Sequence, residues 1–207
     1  MNIPKVSVII NCRNEERYVH QAIDSVFNQT FQDWEIVFWD NASTDRSADM
    51  AKGYDNRLKY FRSEETVPLG KARNWAVEKA NGKYIAFLDC DDIWYIQKLE
   101  KQMKLFYTNP RLGLVYSDIY NCYNDGKKIP GSLFYNFYDG NAFKRLLKIN
   151  FIAFSSVVLI KDLVGEFGGF PSYSIAEDYA LLLQITNKHP IGFVDEPLVE
   201  YLHHEKN

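Results

Sequence analysis

Three short runs of apolar residues, rich in β-branched and aromatic side chains, divide the first half of the chain. They lie at 5–10, 35–39 and 83–88. Near-continuous apolar runs of this length are typical of strands that are buried on both faces of a parallel sheet. Residues 19–27 instead place their apolar side chains at i, i+3, i+4, i+7 and i+8, which predicts an amphipathic helix.

Two further helices are predicted between the apolar runs, at 45–53 and 70–80. The dipeptide Asn81-Gly82 follows the second of them, and we expect Gly82 to end that helix in a left-handed conformation. Strands that alternate with helices indicate a doubly wound α/β arrangement with right-handed crossovers.

The pattern becomes less regular after about residue 110, beyond a helix that is expected near 95–107. The second half should contain a strand that ends in a turn at 124–126, a helix at 140–148, a strand at 155–160, a helix at 176–187 and one or two strands within 191–202. We therefore expect a single domain, residues 1–207, with a regular half of about 1–110 and a less regular half of about 111–207.

The composition narrows the class of protein. The chain has 207 residues, a formal net charge of −3, 46% hydrophobic residues and 25% charged residues, as is ordinary for a soluble globular protein. No surplus of basic side chains is available to neutralise phosphates, which argues against general nucleic-acid binding. The longest apolar stretch, 151–160, is too short to span a bilayer, and the N-terminus lacks the apolar core of a signal peptide.

The three cysteines, Cys12, Cys90 and Cys122, are odd in number and far apart. Their spacing suggests neither a zinc site nor a disulfide framework. A reduced, cytosolic setting fits this pattern best.

Acidic residues follow two of the predicted strands directly. Asp40 comes after the run at 35–39, and Asp89, Asp91 and Asp92 come after the run at 83–88. Ligands of open α/β sheets bind at the carboxyl ends of the strands, and carboxylate oxygens suit hard cations such as Mg²⁺ or Mn²⁺. We expect a divalent metal there, with Asp92 as the N-cap of the next helix.

For several other polar residues, a structural role in a helix is an alternative to a role in binding or catalysis. Ser43 or Thr44 is expected to cap the helix at 45–53. Arg73 lies at a predicted helix N-terminus, where it would reinforce an anion site. Glu177 and Asp178 begin a helix, and compensation of the helix dipole alone could explain them.

Five segments together resemble the family 2 glycosyltransferases of the GT-A fold, over roughly residues 5–205. The segments are VSVII with NCRNEE, SVFNQTFQDWEIVFWDNASTD, GKARNWAVEKANGKYIAFLDCDD, GGFPSYSIAEDYALLLQI and PLVEYLHH. The resemblance implies an α/β fold, with a Rossmann-like nucleotide-binding half, a mixed central sheet and a C-terminal acceptor-binding portion. It also implies a cytoplasmic enzyme without a transmembrane segment, compatible with peripheral contact at the inner face of the membrane.

The implied reaction moves a sugar from a nucleoside-diphosphate sugar to the hydroxyl of a carbohydrate or lipid-linked acceptor, as in cell-surface polysaccharide synthesis. A UDP-sugar is the expected donor. Mn²⁺ or Mg²⁺ would assist the departing diphosphate. A single displacement inverts the anomeric carbon, and no second carboxylate is evident as the nucleophile that retention would need.

The resemblance also assigns residues of the donor side. Asp40 would bind the base, Asn14 and Glu15 would line the base and ribose, and Arg73 would lie near the base and diphosphate. Asp89, the first acid of a DxD triplet, would face the ribose or the metal shell.

Metal binding and catalysis are assigned in the same way. Asp91 would be the main metal ligand, with His204 as a weaker candidate that reaches the metal or diphosphate. Asp178 would be the catalytic base, and Glu177 would lie on the acceptor side.

The chain departs from the family pattern at a few of these segments. Asn11, Cys12 and Arg13 stand where Pro, Thr and Tyr are usual, and Ala42 stands for Gly, which leaves the donor base open. Leu202 and Gln184 replace arginines of the C-terminal segments. Two other interpretations remain: a catalytically degenerate nucleotide-sugar binder, and a metal-dependent phosphatase or nucleotidyltransferase that uses the same acids.

Overall fold

The computed structural model describes residues 3–172 and 175–203. Within these ranges the strands are β1 Val6–Cys12, β2 Trp34–Asp40, β3 Leu58–Arg62, β4 Tyr84–Phe87, β5 Ile93–Trp94, β6 Leu114–Cys122, β7 Lys128–Pro130, β8 Val158–Ile160 and β9 Ile191–Leu202. The helices are α1 Val19–Phe27, α2 Ser47–Lys52, α3 Leu69–Lys79, α4 Lys98–Thr108, α5 Phe143–Leu146, α6 Lys161–Glu166 and α7 Glu177–Lys188. Short 3₁₀ turns lie at Gly131–Leu133 and Phe154–Ser156.

All the described strands belong to one mixed sheet, in the order β3-β2-β1-β4-β8-β6-β9-β5, with β7 paired to β6. The prediction that 5–10, 35–39 and 83–88 form adjacent parallel strands is confirmed, because β2 and β4 flank β1 and both run parallel to it. Cys12 lies opposite Asp40 in this register. The carboxyl ends of the three strands therefore meet at one edge, where the candidate site lies.

The edge strand β3 was not predicted. Its sequence, LKYFR, mixes lysine and arginine with apolar residues, and Leu58 is the one buried residue among the five. An edge strand has one side exposed, so it lacks the continuous apolar run that marked β1, β2 and β4. β3 nevertheless brings Arg62 opposite Asp40, which matters for the site.

The helices pack on both faces of the sheet. Helices α1 and α4 contribute to a core on one face, and α3 and α7 contribute to a core on the other. Burial of these apolar faces is the main stabilising contribution. Because α3 and α7 share a face, residues about a hundred positions apart in sequence come together near the ends of β1 and β4.

Three local predictions about the first half were wrong. Helix α2 begins at Ser47, so neither Ser43 nor Thr44 caps it. Asp92 does not cap α4, whose N-cap is Gln97. Gly82 lacks a left-handed conformation; a Cβ there would lie 2.6 Å from the backbone nitrogen of Ser7. Glycine is therefore required for close approach to β1 and not for a helix cap.

The second half matches its predicted outline with shorter elements. The expected turn at 124–126 joins β6 to β7, with Gly126 at φ 83°. The helix expected at 140–148 is reduced to α5, and the strand expected at 155–160 is a 3₁₀ turn followed by β8. The region 191–202 is one long strand, β9. No helix of the described chain is long and apolar enough to cross a membrane.

Candidate active site

Asp40 ends β2 and is fully buried. Its Oδ1 accepts a hydrogen bond of 2.7 Å from the backbone N–H of Ser43, and its Oδ2 accepts bonds of 2.6 Å each from Tyr60 and Arg62. Burial and the bond to Asp40 raise the pKa of Tyr60 to about 12. Asp40 thus ties the β3 edge to the loop after β2.

Asn14 joins the loop after β1 to the loop after β2. It has a left-handed backbone, φ 58°, and its Oδ1 accepts a 2.7 Å bond from the N–H of Thr44. Its own N–H donates to the Ser43 hydroxyl, and the N–H of Glu15 donates to the Ser47 hydroxyl. These bonds fix the backbone of the loop where Glu15 faces a cavity.

That cavity, the strand-end cavity, has a volume of about 190 Å³. Its lining includes Glu15, Asn41, Asp89 and Asp91. Asp40 is absent from its wall, since the Asp40 side chain points to Tyr60 and Arg62. Two predicted donor residues, Glu15 and Asp89, therefore share this cavity with the predicted metal ligand Asp91.

A second cavity of about 340 Å³ opens beside β6 and β9, and we call it the β6–β9 cavity. It is lined by Asp89, Asp178, Asn121 and Tyr201, among others. Burial, followed by the charges of nearby aspartates, raises the pKa of Tyr201 to about 12. Asp89 lines both cavities, so they meet at this carboxylate.

Arg73 links the elements around Asp89. It is buried on α3, where it pairs with Glu177 on α7 and donates a 3.2 Å bond to Asp89 Oδ1. Its guanidinium lies 4.6 Å from the centre of the Phe154 ring, a cation–π contact. Burial raises the pKa of Glu177 above its usual value, and the charge of Arg73 offsets only part of that rise. Arg73 therefore neutralises two carboxylates and fixes the start of α7.

Glu177 and Asp178 are separated by this arrangement, as expected for adjacent helical residues that point about 100° apart. Glu177 is buried and paired with Arg73. Asp178 is only partly buried and lines the β6–β9 cavity. The structure thus brings Asp178 and Asp89 to one cavity and leaves Glu177 beneath them.

Asp92 is buried behind the other two aspartates. Its Oδ1 accepts a 3.2 Å bond from the N–H of Leu202, and its Oδ2 has no hydrogen-bond partner among the described residues. Burial, together with the charges of Asp89 and Asp91, raises its pKa well above the usual range. Asp92 therefore holds the end of β9, next to Tyr201 and His203.

The C-terminal histidine pair is described only in part. His204, the weaker metal candidate, lies outside the described residues. His203 lines the β6–β9 cavity, with its Nε2 2.9 Å from Asn121 Oδ1 and its ring stacked on Tyr123. A polar aromatic residue at the end of a late strand was the available signal for His203.

The donor atoms of the strand-end cavity suit a divalent cation. No group of three His, Cys, Asp or Glu side chains is arranged to hold a metal ion within residues 3–172 and 175–203. Mg²⁺ commonly takes one or two protein carboxylates and completes its shell with water and substrate phosphates. Asp89 and Asp91, two carboxylates on one cavity wall, fit that mode of binding.

Residues that sequence reasoning missed are Tyr60, Arg62, Phe154, Tyr201 and His203. Tyr60 and Arg62 were hidden because β3 was not predicted. The local signal for that strand was the adjacent aromatic pair Tyr60 and Phe61, since aromatic residues are enriched in strands.

Comparison with known proteins identifies relatives over most of the chain. The family model described as "Glycosyl transferase family 2" matches residues 7–168. Three uncharacterized glycosyltransferases from Rickettsia species are 32% to 35% identical over 94% to 96% of this chain, and the chain spans 28% to 33% of their length. Escherichia coli WfgD, named a UDP-Glc:alpha-D-GlcNAc-diphosphoundecaprenol beta-1,3-glucosyltransferase, is 33% identical over 92% of this chain and 73% of its own.

Two solved structures share the architecture. S. aureus TarS 1–349 in complex with UDP-GlcNAc superposes with a TM-score of 0.82 at 21% identity, over 97% of this chain and 59% of that one. The mannosyltransferase PcManGT from Pyrobaculum calidifontis, in complex with GDP-Man and Mn²⁺, gives a TM-score of 0.77 at 20% identity, over 100% and 59%. These likenesses show a GT-A fold.

Proposed function

This chain belongs to glycosyl transferase family 2, and from that premise we propose that it transfers a sugar from a nucleoside-diphosphate sugar to an acceptor hydroxyl with inversion. One observation carries the proposal. Asp89 lies where the strand-end cavity and the β6–β9 cavity meet, and Asp178 lines the second of them. A donor in the first cavity would thus present its sugar toward a carboxylate in the second.

The donor would occupy the strand-end cavity. Asn14 and Glu15 would line the base and ribose through the loop backbone that Ser43 and Ser47 fix. Asp40 is fully buried and lies outside the cavity wall, so it would act on the base site by fixing the loop after β2 through its bonds to Ser43, Tyr60 and Arg62.

The two solved structures carry nucleotide sugars with different bases, so they support a nucleoside-diphosphate sugar as donor without selecting one base. TarS is in complex with UDP-GlcNAc and PcManGT with GDP-Man. We propose that the donor is a UDP-sugar, and GDP-sugars are the alternative donors to compare with it in binding experiments.

Asp89 and Asp91 would hold Mn²⁺ or Mg²⁺ together with the diphosphate oxygens. The cation would supply neutralisation of the charge that develops on the departing nucleoside diphosphate. Arg73 acts on this site through Asp89, because its guanidinium holds one carboxylate oxygen of Asp89 in place. Near the base and diphosphate, Arg73 would offset the negative charge of Asp89 without leaving its buried pairs.

Asp178 would remove the proton from the acceptor hydroxyl as that oxygen attacks the anomeric carbon. The bond from the anomeric carbon to the diphosphate breaks in the same step, and one displacement inverts the configuration. A retaining double displacement needs a carboxylate nucleophile beside the sugar; Glu177 is buried against Arg73 and is unsuited to that role. Glu177 instead supports the acceptor side by fixing the start of α7.

The acceptor would be a carbohydrate or a lipid-linked saccharide, as used in cell-surface polysaccharide synthesis. WfgD is named for a diphosphoundecaprenol-linked acceptor, which supports the second kind. A cytoplasmic location, at the inner face of the membrane, would suit such a substrate.

Thermal stabilisation by nucleotide sugars tests the proposal. A ligand that binds only the folded state raises its apparent stability, so one nucleotide sugar with Mn²⁺ should raise the Tm more than the others do. Incubation with acceptor should then release nucleoside diphosphate. Release of free phosphate or pyrophosphate would identify a phosphatase or nucleotidyltransferase, and binding without any product would identify a degenerate binder.

A further inference from the structure

Four large apolar side chains are exposed on two neighbouring segments of the second half. Leu133 is 74% exposed and Phe134 55%, and Leu147 is 55% and Ile149 52% exposed. Single exposed apolar residues are ordinary on protein surfaces, but a group of them marks a site of interaction. We call this group the rim surface.

The rim surface borders the β6–β9 cavity. Phe134 is followed by Tyr135 and Phe137, and Ile149 is followed by Asn150 and Phe151; these following residues all line that cavity. The two segments also contact each other, because Tyr138 packs on Phe151 at 5.6 Å between ring centres and the Arg145 guanidinium lies 3.8 Å from the Tyr138 ring. The exposed apolar residues therefore flank the mouth of the cavity that Asp178 lines.

Basic residues accompany the apolar ones. Residues 131–150 contain Lys144, Arg145 and Lys148 against the single acid Asp139, a balance of 3 − 1 = +2, in a chain whose net charge is −3. Lys144 and Lys148 are exposed next to Leu147 and Ile149. The charge of this region is thus opposite in sign to that of the whole chain.

We propose that the rim surface docks on an anionic lipid bilayer and thereby presents a lipid-linked acceptor to the β6–β9 cavity. Binding of a protein surface to a membrane strengthens with the apolar area that it buries and with its attraction to anionic lipids, and the rim surface supplies both contributions. Lysine and arginine near an anionic leaflet add attraction that a neutral partner would not provide. The presentation of an acceptor rests on the proposed function, whereas the docking itself does not.

Flotation with vesicles tests the docking. Wild-type protein should float with vesicles of phosphatidylglycerol and phosphatidylcholine, and much less with phosphatidylcholine alone. The double variant L133S/F134S should bind about tenfold or more weakly, because it removes the apolar area that would be buried in the bilayer. The variant K144E/K148E should lose at least about fivefold for each charge, since a basic residue near the surface contributes about 1 kcal/mol.

Matched controls keep the result specific. Ile96 and Tyr107 are 55% and 53% exposed but line neither cavity, so I96S/Y107S should float as the wild type does. Lys104 on α4 is exposed and serves as the control for charge. K104E should weaken vesicle binding less than K144E/K148E does. All variants should keep the wild-type Tm.

Three outcomes would overturn the docking: no flotation of the wild type, equal loss in the control variants, or equal binding to neutral vesicles. A change of oligomeric state in L133S/F134S without vesicle binding would assign the surface to a second copy of the chain instead. Stabilisation by nucleotide sugar is measured separately without vesicles. If docking fails while this stabilisation persists, the proposed function stands.

Discussion

Arg73 and Glu177, 104 positions apart in sequence, form a buried ion pair between α3 and α7. Arg73 also binds Asp89, so one guanidinium connects a residue of the strand-end cavity to the helix that carries Asp178. The relative position of the two carboxylates of the proposed reaction depends on this pair.

Removal of Glu177 should therefore destabilise the protein. Loss of one partner of a buried ion pair costs about 3–5 kcal/mol, because the other charge stays buried, so Glu177→Ala should lower the free energy of unfolding by that order. Glu177→Gln keeps an acceptor oxygen and should cost less, about 1–3 kcal/mol. Urea denaturation monitored by tryptophan fluorescence measures both.

Glu166→Ala is the control for that experiment. Glu166 pairs with Lys188 at 3.5 Å on the surface, and such pairs contribute about 0–1 kcal/mol. A Glu177→Ala variant as stable as Glu166→Ala would show that the buried pair does not hold α3 to α7.

Asp91→Ala should abolish the metal-dependent part of donor binding and leave the fold intact, because a turn residue at a cavity wall contributes little to the core. Calorimetric titration with nucleoside diphosphate, with and without Mn²⁺, measures this. Asp125→Ala, in the exposed turn between β6 and β7, should behave as the wild type. Equal metal-dependent affinity in wild type and Asp91→Ala would exclude Asp91 as the main ligand.

Lys98 should make the stability of the protein rise with pH. It is fully buried, donates a 2.8 Å bond to Gln102 and lies 3.8 Å from the centre of the Trp94 ring. Burial lowers its pKa well below the usual range. Between the folded-state pKa and the unfolded value of about 10.4, the unfolded chain binds more protons, so unfolding becomes less favourable as pH rises.

Denaturation at several pH values up to about 10 tests this effect, since a lysine that titrates in this window contributes at most about 1.4 kcal/mol per pH unit. Lys98→Met should remove that slope, and Lys104→Met, on the exposed side of α4, should retain it. Identical slopes in wild type and Lys98→Met would show that Lys98 is not the responsible group.

The parts of this molecule that depend on local pattern were predictable from the sequence. The apolar runs located β1, β2 and β4, and the strand-end rule placed Asp89 at their common edge. Edge strand β3 was missed because two of its five residues, Lys59 and Arg62, are basic and exposed. The pairs Arg73–Glu177, Asp92–Leu202 and Gly82–Ser7 are between 75 and 110 positions apart, and no local pattern encodes contacts that only the packing of distant elements creates.

The roles of Glu177 and Asp178 also depend partly on local pattern and partly on the packing of distant elements. Helical geometry requires the two side chains to point apart, but only the position of Arg73 on the neighbouring helix decides which of them is buried. Glu177 pairs with Arg73, and Asp178 is left to line the cavity.

The most direct test of the account is single-turnover transfer by Asp178→Asn, with saturating donor and a true acceptor. If Asp178 acts only in proton transfer, donor affinity should stay nearly unchanged and the rate should fall by roughly 10²–10⁴-fold, the usual range for loss of a general base. Transfer at the wild-type rate would contradict the account and leave Asp178 as a residue that only compensates the dipole of α7.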